Sequence, residues 1–447
     1  MNHTSKVEVA LKAADDTKAL QIGHKNLNEV PVLFNELFPG SRAVIVADKN
    51  TYRVAGEAVR QYIDASGIEQ EPPFVFLDEN LYAEYSFVES LAASFKQHNA
   101  IPIAVGSGTI NDLTKLASHQ AGRPYMCVAT AASMDGYTAF GASITYEGAK
   151  QTFDCPAPFA CLADIDVICN APREMTASGY SDLFAKITAG ADWILADRLN
   201  VEPIDDQAWN IVQNGLHDAL SRPEAVFNGE KEAITDLVEG LMLGGFAMQW
   251  SKSSRPASGA EHQFSHLWNM DHHTNNGEQI SHGFQVAIGM LAITALYELL
   301  LDSPIDQLDI EACCRVWPTP EELEEKAIDI FKNTDFPQIG VVETKAKYVS
   351  KKELANQLTL LKTNWGAIKE DLSKQLIPYK EVKKRLSLVG APVEPEDIGV
   401  SREYLRETFI RAQYIRRRFT ILDLAVRTNR LESWLEQLFG KGGIWEI

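Results

Sequence analysis

Five of the ten histidines, His262, His266, His272, His273 and His282, fall within a single stretch of the chain. His262 and His266 are four apart and would share one face of a helix, and His282 opens a second helical pattern after Ser281. Upstream, Asp182 and Lys186 are again four apart. That pair alone is an ordinary helical salt bridge, and a lone histidine is usually a satisfied core or surface group. Several imidazoles on apolar helices say more. Imidazole is the commonest ligand for zinc and similar ions, and a catalytic ion takes three protein ligands and leaves a position open. Asp182 with two of these histidines would supply such a set. One carboxylate and two neutral imidazoles leave a divalent ion with net positive charge, suited to attract an anion and polarise a carbonyl. The donor types suit zinc, nickel and iron alike.

A second chemical feature is Val105-Gly106-Ser107-Gly108-Thr109-Ile110-Asn111-Asp112, between an apolar run and a helical pattern. Glycines there let the backbone approach a pyrophosphate, and the helix that follows offers unpaired N–H groups and the positive end of its dipole. Asn111 stands where the third glycine of the dinucleotide fingerprint would be, so this is not the full motif. Asp48 ends another apolar run. It can accept hydrogen bonds from an adenosine ribose and would repel a 2′-phosphate, which favours NAD over NADP, or it can simply cap the next helix.

The elements that must position these residues follow from periodicity. Apolar runs at 42–48, 74–77, 101–105, 125–129 and 160–168 alternate with helical stretches, which predicts a parallel α/β sheet over 1–170. From Asn170-Ala171-Pro172 onward helical periodicity takes over, with long apolar faces at 233–250 and 280–301, so 171–447 is expected to be all α. Residues 303–400 carry charge runs such as Glu321-Glu322-Leu323-Glu324-Glu325-Lys326 and read as exposed inserted helices, followed by a long amphipathic helix over 401–426.

Composition bounds the function classes. The 447 residues exceed what one hydrophobic core normally organises, and 45% hydrophobic with 23% charged residues is a globular balance. A formal net charge of −19 argues against a nucleic-acid binder that tracks phosphates. The N-terminus lacks a secretory pattern and no window reads as a membrane span, so a cytoplasmic protein is expected. The six cysteines show no C-x-x-C pair and are expected to be reduced and mostly buried.

The segments Gly106-Ser107-Gly108-Thr109-Ile110-Asn111-Asp112, Thr130-Ala131-Ala132-Ser133-Met134-Asp135-Gly136-Tyr137-Thr138, Ser254-Arg255-Pro256-Ala257-Ser258-Gly259-Ala260-Glu261-His262 and Ser281-His282-Gly283 together resemble the sn-glycerol-1-phosphate dehydrogenases, within the iron-containing alcohol dehydrogenase and glycerol dehydrogenase-like superfamily. The resemblance runs in consistent order from about residue 20 to 300. It implies a Rossmann-like N-terminal domain and a helical C-terminal domain in the dehydroquinate synthase-like architecture. It also implies NAD(H) or NADP(H), one divalent metal, and reversible reduction of dihydroxyacetone phosphate to sn-glycerol 1-phosphate. Under it the metal ligands are Asp182, His262 and His282. His266 and Asp135 lie at the substrate, and Gly106, Ser107, Gly108, Thr109, Ile110, Thr130, Ala131, Ala132 and Ser133 hold the cofactor. One departure is Ala139, where the family usually has a serine at the cofactor.

The expected chemistry is metal polarisation of the carbonyl with hydride delivery from the nicotinamide, His266 or a water on it relaying the proton. Arg255 and Lys186 are candidates to pair with the substrate phosphate. A homo-oligomer is expected, with no nucleic acid or membrane partner. Two other readings compete: an NAD- and zinc-dependent cyclase or lyase of the dehydroquinate synthase type, and a binding protein that kept the fold and lost the activity.

Overall fold

A computed structural model describes residues 6–447 of the chain. Eight strands occur among them: β1 Ala19–Gly23, β2 Ala43–Asp48, β3 Phe74–Phe76, β4 Ile101–Gly106, β5 Met126–Ala129, β6 Ala142–Tyr146, β7 Ala149–Phe153 and β8 Ala160–Asp164. Six of them form one parallel sheet in the order β1-β8-β5-β4-β2-β3, and β6 and β7 form a separate antiparallel hairpin. The inner strands β2, β4, β5 and β8 are apolar up to the acids that end β2 and β8 and are buried except at Asp48, as strands covered by helices on both faces must be. Phe34, Ile45, Val59, Ile63, Ile103, Val128 and Leu162 belong to one core cluster against this sheet.

The chain folds as two compact units, one running through Leu183 with Gln207–Ser254 added, the other comprising Phe184–Asp206 and Arg255–Ile447. The division at 170/171 read from periodicity differs from this, because the helix Arg173–Phe184 and the helix Lys231–Ser251 belong almost wholly to the sheet-bearing unit. Helical periodicity marks the type of an element and carries no information about which core it joins.

The second unit has helices and no strand among its described residues. At its centre is His282–Asp302, apolar all round and buried along most of its length, as a core helix must be. By length and composition this helix is able to cross a bilayer, yet 78% of its most apolar window is buried inside the protein. It is an exception to the expectation that no window reads as a span.

Three more expectations need correcting. Residues 303–400 are not simply exposed: Leu354, Leu358, Leu361, Trp365, Ile368, Leu372, Val382 and Leu386 are buried, and Gln375 Nε2 donates to the Ile187 carbonyl at 3.1 Å. Their charges occupy the outer faces of amphipathic helices. The helix expected over 401–426 is broken. Arg402–Arg411 passes into a 3₁₀ turn, Ala412–Ile415, and a new helix starts at Ile421 with Thr420 and Asp423 forming a capping box. Likewise the run 160–168 turns at Asp164, whose carboxylate accepts the Asp166 N–H at 2.9 Å and starts a short helix. The six cysteines are all free, four of them buried.

Candidate functional site

In the sheet-bearing unit the chain goes from β2 outward to β3 and then returns to the other side of β2 as β4. This reversal places a topological switch point between the carboxyl ends of β2 and β4, the position where open parallel sheets bind ligands. Asp48 ends β2 and Gly106 ends β4. Asp48 caps the next helix, its Oδ1 accepting the Asn50 N–H at 2.7 Å and the Thr51 N–H at 2.9 Å. The capping alternative for Asp48 is thus realised.

Gly106, Ser107 and Gly108 turn directly into the helix Gly108–Gln120, with Ser107 as N-cap. A Cβ on Gly106 would sit 2.5 Å from the Ile110 Cβ, so this turn requires glycine. Thr130, following β5, donates its N–H to the Gly106 carbonyl at 3.1 Å, which brings Thr130-Ala131-Ala132-Ser133 beside the glycine turn. Asn111 is buried, accepting the Tyr125 hydroxyl at 3.0 Å and donating to the Gly136 carbonyl at 3.4 Å. The residue that spoils the glycine fingerprint therefore ties the next loop down.

That loop, 134–141, is also held by Lys115. Its buried ammonium donates to the carbonyls of Gly136 (3.1 Å), Ala139 (3.0 Å) and Gly141 (2.9 Å). Within the loop the Asp135 N–H donates to Asp182 Oδ2 at 3.0 Å, fixing one oxygen of that fully buried carboxylate. Lys186 does not lie on the Asp182 helix. That helix ends at Phe184, Ala185 interrupts it, and Lys186 begins the next helix, Lys186–Arg198, fully buried.

In the helical unit, His262 and His266 lie on Ala260–Met270 and His282 is the first residue of His282–Asp302. The His262 ring is 5.2 Å from the His282 ring and 6.4 Å from the His266 ring, centroid to centroid. His272 and His273 turn elsewhere, to Asp335 (2.7 Å) and to the Ile398 carbonyl (2.9 Å).

The tautomers of two rings follow from their neighbours. Glu261 Oε1 lies 2.8 Å from His262 Nδ1 and accepts the Gly259 N–H at 2.6 Å, while Oε2 accepts the Thr188 hydroxyl at 2.9 Å. Burial pushes this carboxyl up, but the His262 and Gly259 hydrogen bonds outweigh it and hold it below its ordinary value. An ionised carboxylate only accepts, so Nδ1 carries the proton and Nε2 the lone pair. His282 Nδ1 is 3.3 Å from Ser265 Oγ, whose single proton goes to Gln285 Oε1 at 2.7 Å. His282 therefore also donates from Nδ1 and has its lone pair on Nε2. Periodicity located the histidines; it did not find Glu261 or Ser265, whose only signal was adjacency to them.

Arg255 is buried and structural in its visible bonds: it donates to the carbonyls of Phe419 (3.0 Å) and Asp192 (2.9 Å) and pairs with Glu202 at 3.3 Å. Asp192 is fully buried and accepts the Tyr297 hydroxyl (2.6 Å), the Ala260 N–H (2.7 Å) and the Ile421 N–H (2.8 Å). Burial, and then the Glu261 charge, push its carboxyl up to about 7. A folded value above the unfolded one contributes stability that is full below the ordinary 3.8 and is lost as pH rises through about 7. The melting temperature of the wild type should therefore fall between about pH 4 and about pH 7. Asp192→Asn should melt lower at acid pH, because an amide N–H2 faces the Ala260 N–H, and should lack that slope. An unchanged slope in calorimetry would refute the assignment.

The model of a family described as iron-containing alcohol dehydrogenase matches residues 21–172. A glycerol-1-phosphate dehydrogenase [NAD(P)+] from Halalkalibacterium halodurans is 36% identical over 284 residues, covering 62% of this chain and 70% of the relative. One from Geobacillus stearothermophilus is 28% identical over 385 residues, 85% of each chain, and one from Pyrococcus furiosus is 33% identical over 276 residues, 62% of this chain and 77% of the other. Among solved structures, a glycerol dehydrogenase from Schizosaccharomyces pombe superposes with a TM-score of 0.59 at 16% identity, over 94% of this chain and 90% of that one. An NADH-dependent butanol dehydrogenase from Thermotoga maritima does so with 0.58 at 16% identity, over 94% and 96%. At such identities the solved structures speak to the fold alone.

Proposed function

Since the chain belongs to the glycerol-1-phosphate dehydrogenase family and is an enzyme, we propose that it is a metal-dependent NAD(P)H oxidoreductase that reversibly reduces dihydroxyacetone phosphate to sn-glycerol 1-phosphate. The observation that carries this is a pair of imidazoles: the His262 and His282 rings lie 5.2 Å apart, each with Nδ1 committed to a neighbour, and Asp182 is the carboxylate that completes the donor set in this reading. Two imidazoles with Nδ1 already committed and one carboxylate suit a divalent ion and leave it an open position. Bound there, such an ion supplies Lewis-acid polarisation of a carbonyl.

The chain's own residues do the rest. The Asp135 N–H holds one Asp182 oxygen and so fixes the plane of the carboxylate. The turn 106–108 and the residues 131–133 offer backbone N–H groups to a dinucleotide at the switch point, the role of a glycine turn at a helix N-terminus, and Thr130 fastens the second segment to the first through its bond to the Gly106 carbonyl. His266, on the helix face beside His262, is the group to deliver or accept the proton at its ring nitrogen. Asp135 lies at the substrate in this reading. Of the two cations considered for the phosphate, Lys186 stays a candidate, and Arg255 is the weaker one because its guanidinium is engaged with Phe419, Asp192 and Glu202.

Incubation with NADH and dihydroxyacetone phosphate tests the reading. The expected result is net loss of reduced-nicotinamide absorbance and formation of glycerol phosphate. A product formed with no net cofactor change would assign the cyclase chemistry instead. Gly106→Ala should weaken NADH binding at least ~10-fold, because the displaced Ile110 opens the turn that approaches the pyrophosphate. Unaltered binding in a fluorescence titration would detach that turn from the cofactor.

A further inference from the structure

We propose that Glu261 is the positioning residue of the metal site, its carboxylate holding the Nδ1–H of His262 and so fixing which ring nitrogen meets the ion. The inference rests on the reading of Asp182, His262 and His282 as metal ligands. The carboxylate is fully buried, yet among the described residues no lysine or arginine is hydrogen-bonded to it: its partners are the His262 ring, the Gly259 N–H and the Thr188 hydroxyl. A buried charge needs compensation. Here the positive end comes through the imidazole, which an ion bound at Nε2 would make more acidic at Nδ1. A charge-assisted hydrogen bond of this kind makes the opposite nitrogen more basic and locks the ring plane.

The position of Glu261 is set from three sides. Gly259 and Thr188 fix the two carboxylate oxygens. On the third side the core helix His282–Asp302 crosses the Glu261 backbone at Gly289, where a Cβ would meet the Glu261 carbonyl oxygen at 2.5 Å. The helix bearing His282 therefore packs directly on the residue that orients His262, which ties the geometry of the two imidazoles together. His282 is oriented differently, by the neutral chain Ser265, Gln285 and Asn269, with Gln285 Nε2 donating to Asn269 Oδ1 at 3.2 Å. The charge that tunes the site is thus concentrated behind one ligand.

Glu261→Gln separates this role from mere capping of the turn at Gly259. The amide oxygen can still accept from His262 and Gly259, and the amide N–H2 can donate to the Thr188 oxygen, so the bonds stay satisfied and only the charge goes. Zinc binding to the metal-free full chain, measured by competition with a chromophoric chelator, is expected to weaken ~10- to 100-fold. The melting temperature of the metal-free protein should stay at the wild-type value, and the cobalt-loaded variant should show a shifted ligand-field spectrum. Thr188→Val, which removes the other carboxylate contact and keeps the charge, should bind zinc within ~3-fold of wild type. Wild-type zinc affinity in Glu261→Gln, with His262→Ala losing the metal, overturns this inference and spares the metal reading. A loss in Thr188→Val equal to that in Glu261→Gln, or a loss tracking lowered stability of the metal-free protein, overturns it in favour of a packing role. A wild type that binds no stoichiometric zinc, or a His262→Ala that keeps it, overturns the metal reading itself.

Discussion

His262→Ala is expected to leave a folded protein that retains less than ~10% of the wild-type metal content and turns over at least ~1,000-fold more slowly. The magnitude follows from what the ligand does. Polarisation of a carbonyl by a bound cation is worth several kcal/mol in the transition state, and each ~1.4 kcal/mol is a tenfold change in rate. In the proposed site His262 is one of three protein donors, and the two that remain are not expected to hold an ion against dialysis. The substitution also strands the Glu261 carboxylate, which loses the partner at 2.8 Å and keeps the Gly259 N–H and the Thr188 hydroxyl. A stability loss of ~1–3 kcal/mol is therefore expected alongside the loss of metal. Circular dichroism at a temperature well below the melting transition separates the two effects. Elemental analysis of dialysed protein and the NADH assay then read the site. A metal-free variant with wild-type turnover would remove the ion from the mechanism.

How far such a site can be read from residues alone depends on the range of the interactions that build it. The runs ending at Asp48 and Gly106 were legible because a buried parallel strand is apolar along its length, and the histidines because four-residue spacing survives on the helix Ala260–Met270. The same spacing did not announce the one-residue turn at Ala185, still helical in φ and ψ, that divides the helix carrying Asp182 from the helix that Lys186 begins. β1 carries mixed residues on partly exposed faces, and β6 does alternate, with Ala142 and Ile144 buried between the more exposed Ser143 and Thr145, but over only five residues. Glu261 and Lys115 look like ordinary charges in the sequence. Their burial comes from elements far away along the chain, Gly289 packing on one and the loop 134–141 closing over the other.

Lys115→Met should be among the most destabilising single changes in the sheet-bearing unit. The lysine is 1% exposed, and its ammonium has three protons matched to three carbonyls, with Asp112 at 3.5 Å as the nearby anion. Methionine fills the same volume and strands all of these. Removing one partner of a buried ion pair costs ~3–5 kcal/mol, and a unit of this size loses ~2–4 °C of melting temperature per kcal/mol, so a fall of roughly 10 °C is expected. Burial already pushes the Asp112 carboxyl up, so without the lysine it protonates more readily, and the deficit should be smaller at acid pH than at alkaline pH. Asp112→Asn combined with Lys115→Met should recover part of the loss, because the stranded carboxylate is gone, and the double-mutant cycle measures the coupling. The carbonyls stay unpaired in both variants, so the loop that carries Asp135 should remain loosened and metal affinity should fall even where stability is restored, through the Asp135 N–H on Asp182 Oδ2. A melting temperature within ~2 °C of wild type would show that the loop closes without the ammonium, and an unchanged zinc affinity in the double variant would show that its position does not reach Asp182.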